Sequence, residues 1–128
     1  MFKSILALII CIMLGRCNIN GEIFTLSQEN TGQEFEISRD TEIVLSLNAN
    51  PSTGYNWTIS QIDTSILKQV GEAEYKSKSK KIGAPGIQIF HFRSISPGKT
   101  SLLLIYHRPW EKEIAPLDTF QVRLTITD

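Results

Sequence analysis

The residue types in this chain most often used for nucleophilic or general-base chemistry at neutral pH include two histidines, His91 and His107, and two cysteines, Cys11 and Cys17. A catalytic thiol is commonly activated by an imidazole in the same site. Both cysteines, however, lie within or beside an apolar stretch at the very start of the chain, residues 5–14. No serine-elbow pattern, metal-ligand spacing or cofactor fingerprint accompanies the histidines, and the acidic residues are scattered. No catalytic residue, metal or cofactor is assigned. His91 falls on a strand face with Ile87 and Ile89 and reads as structural, whereas His107 adjoins a motif and reads as a position for contacting a partner.

The residues that stand out instead belong to turns. In Asn50-Pro51-Ser52-Thr53-Gly54-Tyr55 the Asn side chain caps a turn, Pro51 sets φ and Gly54 permits positive φ. Ser52 and Thr53 are then left as small polar groups at the tip. An ordinary turn would use the same residue types, but a rigid loop is also what a binding surface needs, because ordering a loose one on binding lowers affinity. Gly83-Ala84-Pro85-Gly86 forms a second small-residue loop, preceded by Lys76-Ser77-Lys78-Ser79-Lys80-Lys81. That basic run reads as a solvated loop, with electrostatic steering toward an acidic surface as a second possibility. The third motif is Arg108-Pro109-Trp110, directly after Tyr106-His107. A Trp just past a strand end and followed by Glu111-Lys112-Glu113 is badly placed for a core, and Arg and Trp are enriched in binding hot spots. The plain structural alternative is that Trp110 folds back over the edge of the domain.

The elements that must hold these loops read as consecutive strands. Phe120 to Thr127 alternates apolar and polar residues without a break, and Ile43, Leu45, Leu47 and Ala49 share one face of another strand. Tyr55, Trp57 and Ile59 share a face of the next, and Trp57 is assigned to the core. Residues 102–106 are apolar on both faces, which places that strand centrally in a sheet. The predicted strands are 22–27, 33–38, 42–49, 54–61, 70–75, 87–93, 99–106 and 118–127, with one helical turn possible over 63–68. Seven or eight short strands in about this length favour an all-β, immunoglobulin-like sandwich. If chain direction alternates from strand to strand, the connections 50–54, 76–86 and 107–117 all fall at one pole. The expected result is a composite binding edge.

Together the three loop motifs resemble those of the chagasin family, protein inhibitors of papain-like cysteine peptidases. Asn50 to Tyr55 is similar to that family's Asn-Pro-Thr-Thr-Gly-Phe/Tyr motif, Gly83 to Gly86 followed by Phe90 to its Gly-rich motif, and Tyr106-x-Arg108-Pro109-Trp110 to its third. The resemblance implies a reversible, competitive inhibitor of cathepsin L/B-type enzymes that wedges three loops into the active-site cleft. The first loop would cover the catalytic thiol, the other two would grip the cleft walls, and no scissile bond would be offered. Asn50, Pro51, Ser52, Thr53, Gly54, Tyr55, Gly83, Ala84, Pro85, Gly86, Arg108, Pro109 and Trp110 would be the peptidase-binding residues. Ser52 stands where the family usually has Thr, and Pro85 where it usually has Gly, which removes one N–H. The other reading of the same fold is a non-inhibitory adhesion or ligand-binding domain.

The chain has 128 residues, enough for one domain. Residues 1–17 read as a signal peptide, with a boundary between 17 and 21: Lys3 precedes an apolar run well short of the ~20 residues of a spanning helix, and small residues follow. Arg16 argues against a lipoprotein anchor on Cys17. The domain, 18–128, then contains no cysteine and must be held by its core. Lys3 and Arg16 leave with the leader, so the formal charge moves from 13 against 13 to 11 against 13, or −2. Nothing in that balance suggests nucleic acid. The expected setting is the secretory pathway (secreted, vesicular or lysosomal), with a monomer as default. Asn56-Trp57-Thr58 is a glycosylation sequon directly after the first loop, and it is expected to be unoccupied.

Overall fold

Period-two alternation with an apolar inner face produces two sheets packed on each other. The computed structural model describes residues 22–77, 79–81 and 83–128; the signal-peptide assignment, with both cysteines, lies outside the described residues. Its strands are β1 (Ile23–Ser27), β2 (Glu34–Ser38), β3 (Glu42–Ala49), β4 (Asn56–Gln61), β5 (Leu67–Gln69), β6 (Glu74–Ser77), β7 (Gly86–Ser94), β8 (Gly98–His107) and β9 (Asp118–Thr127). One sheet has the order β1-β3-β7, with β5 and β6 both paired to the far edge of β7; the other runs β2-β9-β8-β4. This is the immunoglobulin-like sandwich expected from the sequence.

Ile43, Leu45, Leu47 and Ala49 point inward from β3, and Phe120, Val122, Leu124 and Ile126 from β9. Leu45, Leu47, Leu67, Phe92, Leu102, Leu104 and Phe120 are wholly buried between the sheets. Each such side chain stabilises the fold by about 1.5–3 kcal/mol relative to exposure, and no cysteine occurs among the described residues to add a disulfide. β8 lies between β9 and β4, as its two apolar faces predicted. Trp57 is 2 % exposed, and its indole N–H donates to the Asn48 carbonyl at 2.8 Å, so β4 is locked across to β3.

Three details differ from the sequence reading. In place of the strand expected at 70–75, two short strands flank a turn, β5 ending at Gln69 and β6 beginning at Glu74, and both share one edge of β7. Gly71, at φ +73°, turns the chain between them, and Val70 is exposed. The strand expected from 54 begins at Asn56, because Gly54 is left-handed. At 63–68 there is a single turn, Ile66 and Leu67 N–H donating to the Asp63 carbonyl, after which the chain enters β5. The strands pair so that direction alternates from β3 through β9, with β5 and β6 counting as one. The connections 50–55, 78–85 and 108–117 therefore emerge at the same end.

Candidate binding edge

The first loop is wound tight by its own side chains. Pro51–Thr53 form one turn of 3-10 helix, capped by Asn50, whose side-chain oxygen accepts from Ser52 N–H at 3.3 Å and from Ser52 Oγ at 2.6 Å. Thr53 Oγ1 donates to the Asn50 carbonyl at 2.6 Å. Both hydroxyls at the exposed tip are thus already satisfied from within the loop. Gly54 closes the turn at φ +88°, ψ −8°, a region where a side chain is strained.

The neighbouring loops tie to this one. Asn50 Nδ2 donates to the Gly83 carbonyl at 3.2 Å, joining the first loop to the second. Arg108 Nε donates to the Thr53 carbonyl at 3.1 Å, joining the first to the third. The Arg108 guanidinium also lies 4.5 Å from the Tyr55 ring centroid and pairs with Glu111 at 3.3 Å. Trp110 does not fold back over the sandwich. It is 65 % exposed, and the outer rim of its indole rests on Gly54, where a Cβ would stand 2.4 Å from Cη2. Gly54 therefore serves both the backbone turn and the seat of Trp110.

Beneath the loops an aromatic stack sets their height. Tyr106 packs between Tyr55 and Trp57, at ring separations of 5.4 and 5.0 Å, and its hydroxyl accepts from Asn50 N–H at 3.0 Å. Gln88 grips the Trp57 backbone with both ends of its amide, at 3.1 and 3.2 Å, tying β7 to β4 across the sandwich just below the edge. Sequence reasoning missed both supports. The signal for Gln88 was a lone amide within the apolar run 86–92, and for Tyr106 its place immediately before the third motif.

Of the residues singled out in the sequence, Asn50 to Tyr55, Gly83 to Pro85 and Arg108 to Trp110 come together at this edge. Pro51, Ser52, Thr53, Gly83, Pro85, Pro109 and Trp110 are exposed. Gly86 sits apart from them, buried in β7. A Cβ there would lie 2.2 Å from the Lys76 carbonyl and 2.7 Å from Tyr75 Oη, so close approach of β6 accounts for it. His107 donates to or accepts from Thr58 Oγ1 at 2.9 Å, and His91 lies on the outer face of its sheet between Glu42 and Glu74.

Such a preorganised, partly apolar loop edge is the kind of surface that protein–protein interfaces use. The profile of the Chagasin family peptidase inhibitor I42 matches residues 36–124. The chain belongs to the chagasin family of cysteine protease inhibitors. It is 32 % identical over 105 residues to Amoebiasin-2 of Entamoeba histolytica, across 81 % of this chain and 85 % of that protein. The crystal structure of the cysteine protease inhibitor EhICP2 from Entamoeba histolytica is similar at a TM-score of 0.75 and 28 % identity, covering 85 % of this chain and 99 % of that one. PbICP-C, solved in complex with falcipain-2, shares the fold at a TM-score of 0.56 and 20 % identity, covering 84 % of this chain and 100 % of that one. The family is one of peptidase inhibitors rather than enzymes.

Proposed function

We propose that this protein inhibits papain-like, cathepsin-type cysteine peptidases reversibly and competitively, as a monomer, by lodging its three-loop edge in the active-site cleft. The observation that carries this reading is the cross-tying of the loops: Asn50 to Gly83, Arg108 to Thr53 and Trp110 on Gly54. Three loops already fixed to one another enter a cleft as one body, and little ordering entropy opposes binding.

In this mechanism the tip at Ser52 and Thr53 covers the catalytic thiol. The backbone there is curled into a 3-10 turn and ends in a left-handed residue, so it does not present an extended peptide to the nucleophile. Gly83 to Pro85 on one side, and Arg108 to Trp110 on the other, rest on the cleft walls. Trp110 is the apolar anchor, and Arg108 positions the first loop against the third. The N-terminal leader read from residues 1–17 directs the chain into the secretory route, where such enzymes are encountered.

The test is titration of papain and a cathepsin L-like enzyme with the protein from Asn18 onward. Stoichiometric loss of activity, relieved by dilution and by competing substrate, is the expected result. Inhibition unaffected by substrate concentration would refute competition, and no inhibition of any papain-like enzyme would refute the reading as a whole.

A further inference from the structure

The loop edge is electrically lopsided. On the third-loop flank Arg108 is neutralised by Glu111 at 3.3 Å, Lys112 is followed by Glu113, and Asp118 accepts from the Gln28 amide at 3.2 Å. On the second-loop flank Lys76, Lys80 and Lys81 are all exposed, and none is ion-paired among the described residues. Glu74, on the same strand as Lys76, is paired with His91 Nε2 at 3.7 Å. The serines between the lysines explain how the charges are displayed. Ser77 Oγ donates to the Ser79 carbonyl, Ser79 N–H donates to Ser77 Oγ at 3.3 Å, and Lys81 N–H donates to Ser79 Oγ at 3.2 Å. The hydroxyls turn in to wind the backbone, which leaves the lysines outside. Lys81 also lines a notch of about 220 Å³ between the first and second loops, beside Asn50, Ser52, Tyr75 and Gly83.

We infer that this flank is an electrostatic docking surface for a carboxylate-bearing wall of the target peptidase's cleft, with Lys81 placed to meet an acidic side chain entering the notch beside Ser52. The inference rests on the inhibitor reading above and adds the charge of the partner and the side on which it is met. A chain whose domain carries a formal −2 overall has no general attraction for acidic surfaces, so the concentration of unpaired lysines beside the binding loops is specific to that flank. Exposed ion pairs add little equilibrium stability. Their summed field instead accelerates encounter, by 10- to 1,000-fold in steered systems. The lysines therefore act on the association rate.

The test measures association and dissociation rates of the purified protein with two papain-like peptidases, one of acidic and one of basic isoelectric point. Measurements run from about 20 to about 300 mM salt, across which the screening length shortens severalfold. The variants are Lys80→Glu/Lys81→Glu and Lys80→Gln/Lys81→Gln. With the acidic enzyme, charge reversal is expected to slow association about tenfold or more at low salt and to abolish its salt dependence, with dissociation changed less than about twofold. The amide variant falls between, and the basic enzyme responds with the opposite sign. Salt-blind association of the wild type, or a change confined to dissociation, would overturn the inference while leaving the inhibitor reading intact. Failure of the wild type to inhibit either enzyme would overturn both.

Discussion

Gly54→Ala separates the stability of the loop edge from its binding function. Alanine at φ +88° is left-handed, which costs about 1–2 kcal/mol for an L-residue. For a domain of this size that lowers the melting temperature by roughly 5–10 °C. The added methyl would also stand 2.4 Å from Trp110 Cη2, and reaching a normal carbon–carbon contact of about 3.5 Å forces the indole off its seat. If Trp110 is the anchor, displacing it costs about 2 kcal/mol of binding, or roughly 30-fold in the inhibition constant. Trp110→Ala should produce the same loss with a melting temperature within about 2 °C of wild type, since its side chain is 65 % exposed. The assay is a double-mutant cycle with inhibition constants and thermal unfolding measured on all four proteins. Because both changes act on one contact, the double variant should inhibit no worse than Trp110→Ala alone. Full additivity in the inhibition constants, or a destabilised Gly54→Ala that inhibits within twofold of wild type, would refute the reasoning.

Arg108→Lys keeps the charge but loses the Nε bond to the Thr53 carbonyl and the planar contact with Tyr55, so inhibition should weaken about tenfold with the fold intact, as read by steady-state kinetics and circular dichroism. Asp63 accepts from the Ser65 hydroxyl, and then from the Ser65 N–H, which holds its carboxyl below the ordinary 3.8. A carboxyl depressed in the folded state contributes stability that is present above the unfolded value and lost as pH falls through the folded one. NMR titration should therefore place Asp63 below 3.8, Ser65→Ala should return it upward, and stability above about pH 5 should not respond to its protonation. Asn56 opens β4 two residues beyond Gly54, so a glycan there would crowd the loop edge; intact mass of secreted protein should show none.

The periodic strands were legible because alternation is a local property. β3, β8 and β9 follow directly from which residues are apolar, and Trp57 was readable as core from its place on the strand after the first loop. The interval 70–75 was not readable as a turn and the start of a strand. Its composition suits a strand, yet residues 70–73 form the turn at Gly71 between β5, which ends at Gln69, and β6, which begins at Glu74, both paired to one edge of β7. Gly86 read as part of the second small-residue loop, whereas the approach of β6 makes it a packing glycine. Gln88 and Tyr106 support the edge through partners 31 and 56 residues away, a separation that local pattern does not express.

Taken alone, the chain determined an all-β sandwich, strand directions that gather three turns at one pole, and the residue types those turns present. Each of these depends on neighbours within a few positions: side-chain alternation, the fixed φ of Pro51, the freedom of Gly54. Only the tertiary structure decided how the loops hold one another. Arg108 reaches Thr53, Asn50 reaches Gly83, and Trp110 settles on Gly54 rather than on the sheet edge. Those contacts form between segments brought together by sheet pairing, and their geometry is set by the height of the Tyr55, Tyr106 and Trp57 stack. Distances and rotamers across such a junction depend on the packing of both sheets at once, so they exist only once the core has formed.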